Sequence, residues 1–223
     1  MEKIKKILTF FRDLPKSIYV NFKVFNIKDA LKLPIRVRYN VKIGKIYKGA
    51  IKIKCSLKYS IVRLGFGGSE FVSDTKSKLS FYNNGVIIFN GKCTLAEGVN
   101  IFVDKGKIEF GENIYANKNL TIQSENSIII EDNSLIGWNV DIRDTDGHMI
   151  LNNGEERPIN GKIYIGKHVW IASNCNILKN SYITENSVIG CNSLICGLKV
   201  KDNNCLIVGS PATVKKNNIE WRE

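Results

Sequence analysis

The chain has 223 residues, with 33 Lys and Arg against 21 Asp and Glu, a formal net charge of +12, and an apolar share of 43%. That share can bury the core of one domain, or of one domain with a small appendage. The charge invites a nucleic-acid reading, but no motif supports it, and nucleic acid is excluded as a partner; a phosphate-bearing cofactor, an acidic substrate or an anionic membrane surface suits it equally well.

The chain opens on MEKIKKILTFFRDLPK, which is basic and partly apolar. Its apolar run is closed by Arg12 and Asp13, and no small-residue cleavage pattern follows, so secretion is not expected. No stretch approaches the roughly 18–20 apolar residues of a membrane span. The cysteines at 55, 93, 175, 191, 196 and 205 form no CxxC pair, which predicts a reduced, cytoplasmic chain with buried or semi-buried thiols.

Residues 1–34 are expected to be a helical segment. Ile4, Ile7, Leu8 and Phe11 fall at helical spacing, Pro15 is expected to start a second helix, and Pro34 ends the stretch. The pair either packs on the rest of the protein or lies on a membrane surface with Lys3, Lys5, Lys6 and Arg12 on its polar side. From Ile35 the period changes to two, as in IRVRYNV and IKIKCSL, which reads as strand.

The main signal is a repeat. Ile165, Ile171, Ile177, Ile183, Ile189 and Ile195 recur every six residues, followed four positions later by Val169, Cys175, Ser181, Ser187, Ser193 and Lys199, all small but the last. Upstream, Phe110, Ala116 and Ile122 keep the step, as do Ile130, Ile136 and Ile142 after a two-residue slip. Six residues suffice for one short strand and a corner. Isoleucine then points inward, a small residue fits inside near the corner, and strands stack in parallel. A β-solenoid over residues 35–216 follows, with a tail at 217–223. The phase stops after Ile142 and resumes at Ile159 or Ile165, so residues 144–160 must loop out.

GENIYANKNLTI (111–122), GHMI (147–150), IGKHVWIASN (165–174), SVIGCNSLI (187–195) and VGSPA (208–212) occur in the order seen in galactoside and maltose O-acetyltransferases. Over residues 108–216 the chain resembles these hexapeptide-repeat acyltransferases and the related O-acetyltransferases of capsule and O-antigen clusters. The resemblance implies an all-β fold, a left-handed parallel β-helix, here with the short N-terminal helical segment. It also implies acetyl-CoA as acyl donor, a carbohydrate acceptor, direct transfer in a ternary complex and a homotrimer.

His148 stands at the start of the looped-out segment. Attack of a sugar hydroxyl on a thioester needs a base, and imidazole suits that task near neutral pH. The resemblance makes His148 that base; Asp144 or Asp146, adjacent carboxylates, would orient the ring through its other nitrogen, and Asp146 is expected near the substrate. His168, the other histidine, sits in an outward turn of a repeat and is not expected to be catalytic. Trp170 precedes an inward isoleucine and so points outward; the family places this position by the thioester, and the resemblance to the capsule subgroup implies a catalytic role for its indole N–H. Trp138 is outward too, and packing is its expected role. Asn117 matches the family asparagine beside the acceptor hydroxyl and the developing oxyanion. Glu125 falls where the sugar acetyltransferases carry an acceptor-binding aspartate, and its side chain is longer by one methylene.

Ser173 and Cys191 are 18 residues apart; if a coil is three hexads they stack one coil apart. With Gly190 they would line a groove for the pantetheine arm, Cys191 as a small filler rather than a nucleophile. Lys199 or Lys201, with Lys215 and Lys216, would hold the CoA phosphates. No metal site is expected: the same-fold carbonic anhydrases need three histidines, and this chain has two. An N-acyltransferase on an amino sugar or nucleotide-linked sugar is the rival reading, and a non-catalytic solenoid scaffold a third.

Overall fold

A computed structural model describes residues 2–73 and 75–222, with side chains from residue 7 onward. Lys3, Lys5 and Lys6, invoked above for a membrane-surface helix, therefore lie outside the described side chains.

From Ile35 the chain winds as a left-handed parallel β-helix. Its three faces are a nine-stranded sheet (face A), a seven-stranded sheet (face B) and a six-stranded sheet (face C), visited in that order turn after turn. In the C-terminal coils the repeat is 18 residues, with Trp170 paired to Val188, Ile177 to Ile195 and Ile165 to Ile183. Ile136, Ile171, Ile189 and Ile207 stack inside face A, and Ile122, Ile142, Ile177 and Ile195 inside face B, all fully buried. Cys175, Ser181, Ser187 and Ser193 are buried at the corners, as small residues there must be; Lys199 is exposed.

Earlier coils are longer, and this explains the two-residue slip. On face C the strand Ser127–Ile130 turns two residues inward, Ile128 and Ile130, where Tyr182–Ile183 turns one. Ile108 with Phe110 and Ile87 with Phe89 repeat the double layer, and the rings of Phe89 and Phe110 stack at 5.4 Å. The phase resumes at Ile163 and Ile165, not at Ile159, which stays half-buried outside the prism.

Corners are turned by asparagine. Asn113, Asn133, Asn186 and Asn204 line one edge with φ from 57° to 60°, and Asn119, Asn139, Asn174 and Asn192 another with φ from 55° to 64°. Asparagine tolerates the left-handed region better than other side chains. It also hydrogen-bonds the next coil: Asn119 Nδ2 donates to Asn139 Oδ1 at 2.9 Å and Asn139 Nδ2 to Asn174 Oδ1 at 3.0 Å. His168 takes one asparagine position, with φ 52° and its Nδ1 3.1 Å from Asn186 Oδ1.

Pro15 does not begin a second helix. A single helix α1 (Glu2–Val24) runs through it, followed by the short α2 (Ile27–Ala30). Tertiary contacts hold α1 together across the missing N–H. Asp13, Ser17 and Asn21 lie one helical turn apart on the buried face, and each meets the backbone of β1 (Ile35–Val37) or its continuation. Asn21 donates to Ile35 O at 2.6 Å and accepts from Ile35 N at 3.1 Å. Ser17 donates to Val37 O at 3.2 Å and accepts from Val37 N at 3.0 Å, and Asp13 accepts from Tyr39 N at 2.9 Å. The match is geometric: four helical residues rise about 6 Å, and two strand residues about 6.6 Å. Lys16 adds bonds to Tyr39 O at 2.5 Å and Val41 O at 2.7 Å.

Candidate active site at two corners of the prism

Corner A–B carries a column of small residues. Successive backbone bonds (Asn117 N to Ile136 O, Gly137 N to Ile171 O, Ala172 N to Ile189 O, Gly190 N to Ile207 O) put Asn117, Gly137, Ala172 and Gly190 in line, about 4.8 Å per coil. Ser173 and Cys191 form the adjoining column, joined by Asn192 N to Ser173 O at 3.1 Å. A Cβ on Gly190 would collide with Val208 of the next coil, so close packing alone demands glycine there.

Asn117 is held by its oxygen. Oδ1 accepts from Ser69 N and Lys118 N, both at 2.8 Å, which fixes the amide plane and leaves Nδ2 as the donor. Trp170 lies on face A two residues before this column, partly exposed at 38%. Cys191 is exposed, as is Cys196, against the expectation of buried thiols; Cys93, Cys175 and Cys205 are buried, and all six are free. Burial raises the Cys175 thiol pKa, and its Sγ approaches Gly190 O at 3.1 Å.

Corner B–C carries the other candidates. The Asp144 carboxylate is fully committed there: Oδ1 accepts from Glu125 N at 2.7 Å, and Oδ2 from Ser124 Oγ at 2.7 Å and Asn126 N at 2.9 Å. It therefore does not orient His148; it ties the Glu125 turn to the point where the chain leaves the prism. Asp146 is also engaged, in an ion pair with Lys179 at 2.5 Å, while Lys179 donates to Pro158 O at 2.5 Å and Ile159 O at 3.1 Å. With Asp146 N bonded to Ile159 O and Gly161 N to Asp144 O, these contacts close the neck of the loop.

Beyond the neck stands His148, exposed and without a hydrogen-bond partner among the described residues. An antiparallel hairpin follows, Ile150–Asn152 with Glu155–Arg157, turned by Asn153 and Gly154, both at positive φ. Met149, Ile150 and Leu151 are exposed. Glu125 is half-buried, its Oε1 3.4 Å from Gln123 Nε2. Lys199 bridges Tyr182 at the start of the last turn of face C, so within one chain it does not join Ser173 and Cys191. Lys215 and Lys216 are exposed at the end of Ala212–Lys216, which closes the stack antiparallel to Leu206–Gly209.

One chain thus gathers Asn117, Trp170, Ser173, Gly190 and Cys191 at one corner, and His148, Glu125, Asp146 and Lys199 at the next, with face B between. Two contributors escaped the sequence reading. Lys179, the neck cation, carried no signal beyond an ordinary surface lysine. Trp221 had one: an isolated tryptophan in a polar tail. Its ring stacks on His168 at 4.1 Å and 8°, its Nε1 donates to His168 O at 3.0 Å, and it stands 6.1 Å from Trp170. It roofs a cavity of about 530 Å³ against Asn113, Asn133, His168, Asn186 and Asn204.

No protein-family model matches the chain. Individual relatives do. A galactoside O-acetyltransferase of Lactococcus lactis is 35% identical over 111 residues, 49% of this chain and 52% of that one. The galactoside O-acetyltransferase of Escherichia coli K12 is 38% identical over 112 residues, 48% of this chain and 52% of its own. An uncharacterized 24.8 kDa protein from the cps region of Klebsiella pneumoniae is 32% identical over 141 residues, 63% of this chain and 62% of its own. The chain thus spans about half to three-fifths of the length of the curated relatives it matches. Among solved structures, the polySia-specific acetyltransferase NeuO shares the fold with TM-score 0.61 and 19% identity over 84% of this chain and 74% of that one. An N-acyltransferase from Bacillus cereus, solved with dTDP and coenzyme A, does so with TM-score 0.53 and 17% identity over 90% and 92%. Sequence likeness and fold both agree with the resemblance to the hexapeptide-repeat acyltransferases.

Proposed function

We propose that the chain is an acetyl-CoA-dependent O-acetyltransferase acting on a sugar hydroxyl in surface-polysaccharide biosynthesis, working in the cytoplasm as a homotrimer. The observation that carries this reading is the division of the candidate site between two corners that flank face B. Closing three prisms around face B sets the B–C corner of each chain against the A–B corner of the next, and a three-fold ring is closed and self-consistent. The exposed Met149–Leu151 segment, beside His148, gains a neighbour to cover it in the same step.

In the joined site, His148 takes the proton of the acceptor hydroxyl as its oxygen bonds to the thioester carbon. The carbonyl oxygen becomes an oxyanion, and Asn117 Nδ2 donates to it. The C–S bond then breaks, and the proton held by His148 goes to the departing CoA thiolate. Trp170 lies beside the thioester and adds its indole N–H. The small column of corner A–B lets the pantetheine arm lie against backbone, Lys199, Lys201, Lys215 and Lys216 face the phosphates, and Glu125 binds the acceptor. Asp146 acts indirectly: paired with Lys179, it fixes the loop that presents His148. Peripheral contact with the inner membrane surface belongs to the same reading, with α1 as the contacting element.

A second reading, N-acylation of an amino sugar or nucleotide-linked sugar, is favoured by the fold shared with the Bacillus cereus N-acyltransferase. The test is thiol release from acetyl-CoA against neutral sugars, surface glycans and amino sugars, on wild type, His148→Ala and His168→Ala. Transfer to a neutral hydroxyl should dominate. His148→Ala should lose about two to four orders of magnitude in turnover, the usual worth of a positioned base, with acetyl-CoA affinity held. His168→Ala should keep most activity. Transfer only to amines would establish the second reading, and equal losses in both variants would remove His148 from the base role.

A further inference from the structure

The buried face of α1 is spent on β1, and the opposite face is apolar and uncovered. Ile7, Leu8, Phe11, Ile18, Tyr19 and Phe22 are each 40–63% exposed. At 3.6 residues per turn they fall within a stripe of roughly 120°, set opposite Asp13, Ser17 and Asn21. Ile27 and Leu31 of the α2 turn are exposed at 71% and 67%. A patch of this kind on an otherwise charged surface marks an interaction site.

Charge tells what the patch fits. Residues 2–32 hold eight Lys and Arg against three Asp and Glu. Two of the three acids are already paired: Asp13 is buried against Arg36 at 3.4 Å, and Asp29 meets Lys32 at 3.5 Å. Arg12 and Lys23 are exposed along one border of the stripe, and Lys28 continues the basic run beyond it. A second copy docking through this face would set those cations against themselves across a two-fold axis. A surface that is apolar below and anionic above takes both the stripe and its border.

We infer that the outward face of α1 seats the protein on an anionic lipid surface, with the apolar stripe at the headgroup–acyl boundary and Arg12, Lys23 and Lys28 among the headgroups. The inference deepens the membrane placement proposed above and is independent of the acyl-transfer chemistry. Because α1 is anchored on its other side by Asp13, Ser17 and Asn21, it holds the prism at a fixed attitude to the lipid rather than as a tether.

The experiment is sedimentation of the full chain with vesicles of phosphatidylcholine alone and with about a third phosphatidylglycerol, at low and high salt, the mixed vesicle matching the leaflet charge that attracts basic segments. Wild type should pellet with the mixed vesicles only, and less at high salt. Phe11→Glu and Phe22→Glu, each placing a charge in the stripe, should weaken that partitioning about tenfold or more apiece. Their melting temperatures and acetyl transfer to a soluble acceptor should stay at wild type. Failure of wild type to bind mixed vesicles, or equal binding by both variants, would overturn the inference. So would loss of a higher oligomer in the variants with no vesicle binding, since the face would then belong to self-association. Vesicle binding by a chain that transfers no acetyl group would leave the inference standing and fail only the enzymatic reading.

Discussion

Two inactive chains should restore activity when mixed. His148→Ala removes the proposed base at corner B–C. Asn117→Asp keeps an oxygen for the Ser69 and Lys118 amides but replaces the Nδ2 donor at corner A–B, so neither change disturbs the prism. If each site joins the B–C corner of one chain to the A–B corner of the next, a site is intact only when the first corner comes from an Asn117→Asp chain and the second from a His148→Ala chain. Random assembly from equal parts meets each condition half the time, so about one quarter of wild-type activity should return. The assay is co-refolding of the two variants, each carrying a different tag, double-tag capture of an aliquot to verify mixing, then thiol release from acetyl-CoA by the unfractionated pool with an acceptor in excess. Against parental activities at least about a hundredfold down, the usual worth of a lost base or oxyanion donor, recovery to a quarter is easily read. Verified mixed oligomers with no recovery would show that both corners serve a site within one chain, and the shared-site reasoning would fail.

Asn21→Leu should destabilise the fold by about 2–5 kcal/mol, because it orphans both the N–H and the C=O of Ile35 in a buried place. At about 2–4 °C per kcal/mol for a chain of this size, calorimetry at fixed protein concentration should find melting lowered by at least about 5 °C. The Glu109 carboxyl is opposed by burial but held by hydrogen bonds from Lys54, Asn90 and Lys107, with a net lowering to about 2 from the ordinary 4.5. Its folded value being the lower, its stabilisation is present above pH 4.5 and lost as pH falls toward 2. Glu109→Gln should therefore cost about 1 kcal/mol in neutral denaturant titrations, discounted for the exposed lysines, and nothing near pH 2. Trp221→Ala should lower stability by about 1 kcal/mol through the lost His168 stack, with Trp221→Phe between it and wild type; identical melting of all three would show that the tail does not bind its own coil.

The inward residues of the solenoid were legible because they repeat, and each isoleucine at step six is buried where the phase puts it. The slip at Ile122–Ile130 was visible as an irregularity, but its cause, a second inward layer on face C, depends on strand length and had no separate mark. The asparagine corners are present as letters 18 or 20 apart, 35 across the looped-out segment, and are masked by the stronger isoleucine signal. Pro15 misled because helix propensity is local, whereas three polar side chains facing one strand are a tertiary fact. His148 stands out in the sequence by its position at the break, and the structure sets it just beyond the neck of the loop. Asp144 was misassigned: a carboxylate beside a histidine in sequence looks like its partner, and only the fold reveals three donors from the Ser124–Asn126 turn already waiting for it.

A stack of near-identical coils has no internal reason to stop. Every turn presents the next with the same row of backbone donors and acceptors, and a bare terminal turn would template another molecule as readily as its own continuation. The Asp13–Ser17–Asn21 row spends that template on a helix, and Ala212–Lys216, running antiparallel, spends it at the far end. These two closures end face A at both edges, so truncation at residue 34 should be read first as a polymerisation experiment.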